Sequence, residues 1–267
     1  MRYDLRALAR ARGIRRKGIA LRPIEPTAVL AGDLDAIARD IIAAAETEIR
    51  ESLLPVYEPR PSITRDDAAN GIANALAGVG SAIGRLIISI GPRVRRWALK
   101  VEEWHRPKFA AGVKAGTGAD VVAFLNAEDA QDQVRASAEW AASLIQGLTD
   151  DLRKQVESLT WAAYAAQTPR AELAKQLMER IGVGRTRAEF IARDQTTKLS
   201  ANLDRLRQNE AGIAEYQWRH SGKAHPRPEH VARNNKIFRW DSPPAGGHPG
   251  TEPNCGCRAL SYVNLDD

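Results

Sequence analysis

Residues 229–257 read EHVARNNKIFRWDSPPAGGHPGTEPNCGC, and this stretch decides how the chain is built. Upstream of it apolar residues recur at helical spacing. Here the pattern turns to short extended runs broken by Pro and Gly. The expected fold is therefore mainly α, a helical body with a small C-terminal α+β module of short antiparallel strands, preceded by an extended basic N-terminal arm. The same stretch holds both cysteines and two of the five histidines of the chain. His230, His248, Cys255 and Cys257 together offer two imidazoles and two thiolates, ligands that suit a tetrahedral zinc ion. Their spacing is not that of a standard finger or ribbon, where the cysteines usually stand as C-x2-4-C. Buried, metal-free Cys and His closing a β module is the competing reading.

Within the module, Tyr216 and Trp218 alternate with polar neighbours, Lys236 to Trp240 offers a second extended run, and Ala259 to Val263 a third. The Pro- and Gly-rich connection from Ser242 to Pro253 would wrap over these strands and bring His248 to the C-x-C pair. So small a sheet buries little apolar surface, and a metal or docking onto a neighbouring helix would have to support it.

The helical body has its own punctuation. Leu34, Ile37, Ile41, Ile42, Ala45 and Ile49 set the period of a half-buried helix over 33–54, with Pro55 behind it. Residues 64–90 are rich in Ala, Gly and Ile, and a basic helical stretch over 93–103 should be interrupted by His105-Arg106-Pro107. GVKAGTGAD, residues 112–120, reads as a turn cluster without the pattern of a phosphate-binding loop. A helix over 127–147 precedes a second one that Thr149 should cap, with Asp150 and Asp151 in its first turn. Thr168-Pro169 opens a third and Gly182 ends it. Thr186 and Glu189 then have the spacing of a capping box for a long helix to Glu210, stopped by Gly212. Two helices joined by IGVGR invite a helix-turn-helix reading; the acidic Glu189 and Asp194 on the second favour a scaffold over a DNA reader. These breaks divide the chain into 1–32, 33–125, 126–212 and 213–267.

At 267 residues the chain has room for one large or two modest domains. Its longest apolar run, around Leu86 to Ile90, is too short to span a bilayer, and no signal-peptide pattern opens the sequence. These features point to a soluble, unexported protein without a membrane partner, and two cysteines one residue apart fit a reducing compartment. Charge is concentrated at the start. Arg2, Arg6, Arg10, Arg12, Arg15, Arg16, Lys17 and Arg22 face a single Asp4, a net +7 over residues 1–22, so in a chain of net +6 the remainder carries −1. Arg2, Arg6 and Arg10 would share a helical face. Such an arm suits nucleic-acid phosphates or an acidic protein surface; a solvated tail is the plainer reading.

Read from Thr186, the run TRAEFIARDQTTKLSANLDRLRQNEAGIAEYQWRHSG, then RPEHVARNNKIF, WDSPP, GHPG and CGC, resembles the C-terminal domain of the phage head morphogenesis family, the Mu F-like minor head proteins. The resemblance rests on an "IAR-D/E-x-T" helix, an "RP-x-H-x-A-x-(D/N)-(G/N)-K-x-F" piece, an "HPG" turn and a closing "C-x-C" in that order. It extends more weakly to RPIEPT (22–27) and SAEWAASLIQGLTDDL (137–152). Asn234-Asn235 stand where an acidic-Gly pair is common, and Gly256 where the closing pair often encloses an Arg. The resemblance implies a non-enzymatic minor head protein of the virion, present in the host cytoplasm during assembly. Its implied partners are the portal or the major capsid protein, and packaged double-stranded DNA.

The competing class is a metal-dependent DNA-processing enzyme or DNA-binding module using the His/Cys end. His230 with Glu229, Asn234 and Asn235 has the residue types of a His-Asn metal nuclease, and Cys255 or Cys257 with His248 those of a nucleophile and its base. Glu229, Asp241 and Glu252 are scattered through turns rather than gathered as metal ligands, so no catalytic residue is assigned. His105 and His220 read as isolated loop or surface histidines, and His225 lies two residues from Arg227 in a Pro-flanked turn that the family pattern does not mark.

Overall fold

Burial of one apolar stripe per helix organises the chain, and the computed structural model describes it over residues 4–59, 65–125 and 130–266. The elements are α1 (Leu5–Ala11), β1 (Gly18–Ala20), α2 (Ala28–Glu48), a π-helical turn (Ile49–Leu53) running into α3 (Leu54–Val56), α4 (Arg65–Ile87), α5 (Ile90–Thr117), α6 (Gln131–Ala165), α7 (Arg170–Glu210), β2 (Glu215–Arg219), α8 (Pro228–Ala232), β3 (Ile237–Arg239) and β4 (Arg258–Asn264). The mainly helical body with a small antiparallel sheet is as expected. Contacts group the chain into two compact units, one of residues 32–96 and 138–192, the other of 1–31, 97–137 and 193–267.

Among the described residues, the first of these is built from helices and holds no strand. Leu34, Ile37, Ile41, Ile42, Ala45 and Ile49 are buried, as their spacing predicts, together with Ile72, Val79, Ile145, Leu173, Leu177 and Ile181. Tyr57, where the chain leaves α3, donates its hydroxyl to the Thr168 carbonyl at 2.9 Å, and its own carbonyl accepts from Arg170 Nε at 3.0 Å.

Four expected helix breaks are absent. Thr149 lies inside α6, its hydroxyl turned back onto the Gln146 carbonyl at 2.9 Å rather than capping a new helix. Gly182 and the Thr186–Glu189 spacing lie inside α7, an uninterrupted 41-residue helix in which Thr186 Oγ1 donates to the Gly182 carbonyl. A glycine inside a helix costs about 1 kcal/mol, less than burying one Leu or Ile contributes, so the packed face overrides it. Without a turn there is no helix-turn-helix. α5 likewise runs through Pro107, and His105, expected at a surface, is fully buried with Nε2 2.9 Å from Asp204 Oδ1.

The second unit carries the sheet, antiparallel throughout in the order β1-β4-β2-β3. Tyr216 and Trp218 point inward, as their alternation predicts. Gly212 (φ +75°) closes α7 just beyond Glu210, with the Ile213 N–H on the Gln208 carbonyl at 2.8 Å, a Schellman closure. Residues 4–22 differ from the extended arm expected. Asp4 caps α1 through the Ala7 N–H, Leu5, Ala9 and Leu21 join a core with Phe109, Val113, Ile213, Val263 and Leu265, and β1 pairs with β4, Gly18 opposite Asn264. A Cβ on Gly18 would stand 2.1 Å from the Tyr262 hydroxyl, so a larger residue there would have to displace that ring. Among the described residues no single helix is long and apolar enough to cross a membrane; α4 and α5 pass on length and composition only together, as a pair bent by 42°.

Candidate metal centre in the C-terminal module

One turn of helix presents the first candidate ligand. In Arg227-Pro228-Glu229-His230, Pro228 occupies the first turn of α8, where its missing N–H costs nothing and its fixed φ suits the helix. His230 is thereby aimed inward and buried. The other two ligands come from the turn before β4. Cys255 and Cys257 are buried free thiols, and each Sγ lies 3.6 Å from His230 Nδ1. The three donor atoms all fall within 4.8 Å of one another.

The family-like motifs surround this cluster, each with a local physical reason. Asp194, of the "IARD" helix, accepts the Asn254 N–H at 2.6 Å and so fixes the cysteine turn to α7. Gly250, of "HPG", has φ +87° and donates its N–H to Cys255 Sγ at 3.4 Å; a Cβ there would meet Ala201 Cβ at 2.6 Å. Asn235 has φ +65°, a conformation that Gly and Asn tolerate best, while Asn234 Oδ1 accepts the His220 N–H. Gly256 lets the turn pass Ser221 and Lys223, whose nearest atoms lie 3.0 Å from where a Cβ would stand.

Behind the histidine stands a carboxylate. Glu252 Oε2 lies 3.4 Å from His230 Nε2 and 3.0 Å from Arg227 Nε, ion-pair distances without hydrogen-bond alignment. That carboxylate favours the proton on Nε2, which leaves the Nδ1 lone pair facing the sulfurs. A hydrogen bond from Cys257 holds the Cys255 thiol down at about 5, helped by the Gly250 N–H against the opposing effect of burial, and the same bond with burial pushes Cys257 up.

His248 is not part of the cluster. Its Nδ1 is 2.9 Å from the Tyr216 hydroxyl and its ring packs on Trp240 at 4.7 Å. Burial and the nearby Arg205 hold the imidazole below its ordinary range, and burial raises the Tyr216 phenol, so both favour their neutral forms in this hydrogen bond. The wrapping loop therefore delivers its histidine to an aromatic cluster instead of the thiols. The sequence reading named Glu252, Asp194, His220 and His225 without placing them at this site, where Glu252 stands behind His230 and Asp194 anchors the cysteine turn. His220 and His225 line an open cavity of about 300 Å³ beside the cysteines. The RP-x-H and IARD spacings were the available signals.

Of the basic residues singled out, Arg2 lies outside the described residues. Arg6, Arg10, Arg12, Arg15, Arg16, Lys17 and Arg22 are all exposed. Arg10 donates to the Ile14 and Leu265 carbonyls and Arg12 to that of Lys114, so two of the seven also hold the fold.

A long helix that anchors a small antiparallel sheet, with a buried Cys-Cys-His cluster at their junction, defines the class of module. Residues 154–260, from within α6 into β4, match the family described as Phage Mu protein F like protein. The chain is also 28% identical over 219 residues to an uncharacterized protein of Haemophilus influenzae (strain ATCC 51907 / DSM 11121 / KW20 / Rd), a match covering 81% of this chain and 44% of that protein. No solved structure matches.

Proposed function

We propose that the chain acts in phage head morphogenesis as a non-enzymatic minor head protein, associated with the portal or the inner face of the capsid. The family match over residues 154–260 carries this reading, because it covers the anchoring helix and all but the end of the module that the matching motifs build. The chain reaches the virion by incorporation during assembly in the host cytoplasm. Its exposed Arg15, Arg16, Lys17 and Arg22 are available to DNA phosphates within the head.

The test is removal of the gene from the phage and analysis of the heads that form. The chain should be found in wild-type heads by mass spectrometry, and its loss should lower the yield of filled, infectious heads. Normal yields, with no chain in wild-type heads, would refute the proposal. Metal-dependent cleavage of DNA by the purified protein would favour the enzymatic alternative.

A further inference from the structure

We infer that His230 Nδ1, Cys255 Sγ and Cys257 Sγ bind one Zn²⁺, with the fourth coordination position opening on the cavity lined by His220 and His225. The inference stands apart from the role in head assembly, because it concerns what holds this module together.

Three observations carry it. The first is distance. Zinc sits about 2.3 Å from a thiolate and about 2.0–2.1 Å from an imidazole nitrogen, so a tetrahedral angle places sulfur and nitrogen about 3.6 Å apart. Both sulfurs are 3.6 Å from Nδ1. Hydrogen bonding alone does not account for this, since a neutral imidazole nitrogen has one lone pair and cannot accept from two thiols in good geometry. The second is orientation. A carboxylate on the far ring nitrogen is the arrangement that fixes the tautomer of a metal-bound histidine, and Glu252 occupies that place, itself held by Arg227. The third is charge in a buried place. Two thiolates and one Zn²⁺ sum to zero, so the loaded site avoids the cost of an isolated buried charge. The Gly250 N–H pointing at Cys255 Sγ supports thiolate character there.

On binding, each sulfur forms a bond to zinc and gives up whatever proton it carries to solvent, with no change of oxidation state. Soft thiolates with one imidazole favour zinc over magnesium or calcium, which take oxygen ligands. The ion ties α8 to the turn leading into β4, linking two short segments that the sheet does not connect directly. His248 plays no part in it.

The full-length protein, purified under reducing conditions, should contain one zinc per chain by elemental analysis. Exchange for Co²⁺ should give the near-ultraviolet absorption of cobalt thiolate bonds. Cys257→Ser and His230→Gln should lose the metal. Glu252→Gln should keep it with roughly 10–100-fold weaker affinity. His248→Gln should retain one equivalent, which separates this ligand set from one that includes His248. Because the cysteine variants can fail to fold, the cobalt spectrum of the unaltered protein is the deciding measurement. No zinc retained or taken up, a cobalt spectrum without thiolate bands, or a Cys255–Cys257 disulfide in freshly reduced-purified protein would each overturn the inference.

Discussion

Asp194→Ala cuts the link between the long helix and the cysteine turn, and the structure sets the size of the effect. Asp194 is 8% exposed, with Oδ1 2.6 Å from the Asn254 N–H and Oδ2 2.8 Å from Lys198 Nζ. Hydrogen bonds to an ionised acceptor contribute about 1.5–3 kcal/mol. Lys198 keeps a quarter of its side chain in water and an i,i+4 pair contributes only about 0.3–0.5 kcal/mol, so most of the loss falls on the turn. Asn254, at φ +56°, has in addition to be held in a left-handed conformation. The expected local cost is about 2 kcal/mol, or roughly 30-fold, since 1.4 kcal/mol is a factor of ten. Amide exchange read by mass spectrometry should therefore accelerate about 30-fold in peptides covering 250–257, with much smaller changes in 33–56. Asp194→Asn keeps an oxygen in place and should lose about half as much. Exchange in 250–257 within twofold of the parent protein in Asp194→Ala would refute the anchoring role.

Other expectations follow from single features. Since burial holds His248 below its ordinary 6.5, the unfolded chain takes up the proton first as pH falls; its contribution is intact above that value and is lost between it and the lower folded value. Melting temperature should thus drop from pH 7.5 to 5 more steeply than in His248→Gln, and parallel profiles would refute the assignment. Gly182→Ala should stabilise by about 0.5–1 kcal/mol in urea denaturation, because the position is helical and nothing lies within 4 Å of the added Cβ. A destabilised variant would contradict the continuous helix. Arg207 is fully buried against Glu102, with Glu210 as a second partner at 3.2 Å. Glu102→Gln should cost about 3 kcal/mol by leaving that cation poorly compensated, and a loss under about 1 kcal/mol by the same measurement would count against it. Replacing Arg15, Arg16 and Lys17 together by Gln should flatten the dependence of log K for DNA on log salt by up to about 2.7, about 0.9 per lost phosphate contact; an unchanged slope would return these residues to plain solvated surface.

Features carried by local periodicity were legible in the sequence, and those set by long-range packing were not. Ile37 to Ile49 and Tyr216 to Trp218 announce their buried faces because helix and strand repeat at fixed intervals. Thr149, Gly182 and Thr186 misled because a capping residue inside a helix has a second option. Its hydroxyl turns back on a carbonyl a turn earlier, as Thr149 and Thr186 do. In the C-terminal module the candidate ligand types were readable, and the structure gathers three of the four named residues, His230, Cys255 and Cys257. His248 was not separable from them, because an imidazole on a Pro-Gly loop near two cysteines looks the same whether it meets sulfur or the Tyr216 hydroxyl. Glu252 was visible as a carboxylate, but its place behind His230 depends on the fold of the connecting loop.

The N-terminal segment shows why local reading fails there and how the function has to be tested. Its charge was legible, yet β1 finds its partner at the other end of the chain, with Ile19 opposite Val263 and the Leu265 N–H on the Lys17 carbonyl. No sequence pattern of eight basic residues announces such a pairing. Deleting residues 1–22 would therefore remove an edge strand together with Leu5, Ala9 and Leu21 from the core, and cutting after Gly212 would take Ile213, Val263 and Leu265 from that same core. Either truncation would weaken the unit that holds the cysteine turn, so a defect in heads or in DNA binding would report misfolding as readily as lost contact. Changes confined to exposed side chains avoid this. The Arg15, Arg16 and Lys17 replacement leaves the backbone carbonyl of Lys17 in place for Leu265 and should preserve the melting temperature. Under that condition a loss of incorporation into heads points to a protein surface, and a flattened salt dependence with normal incorporation points to DNA.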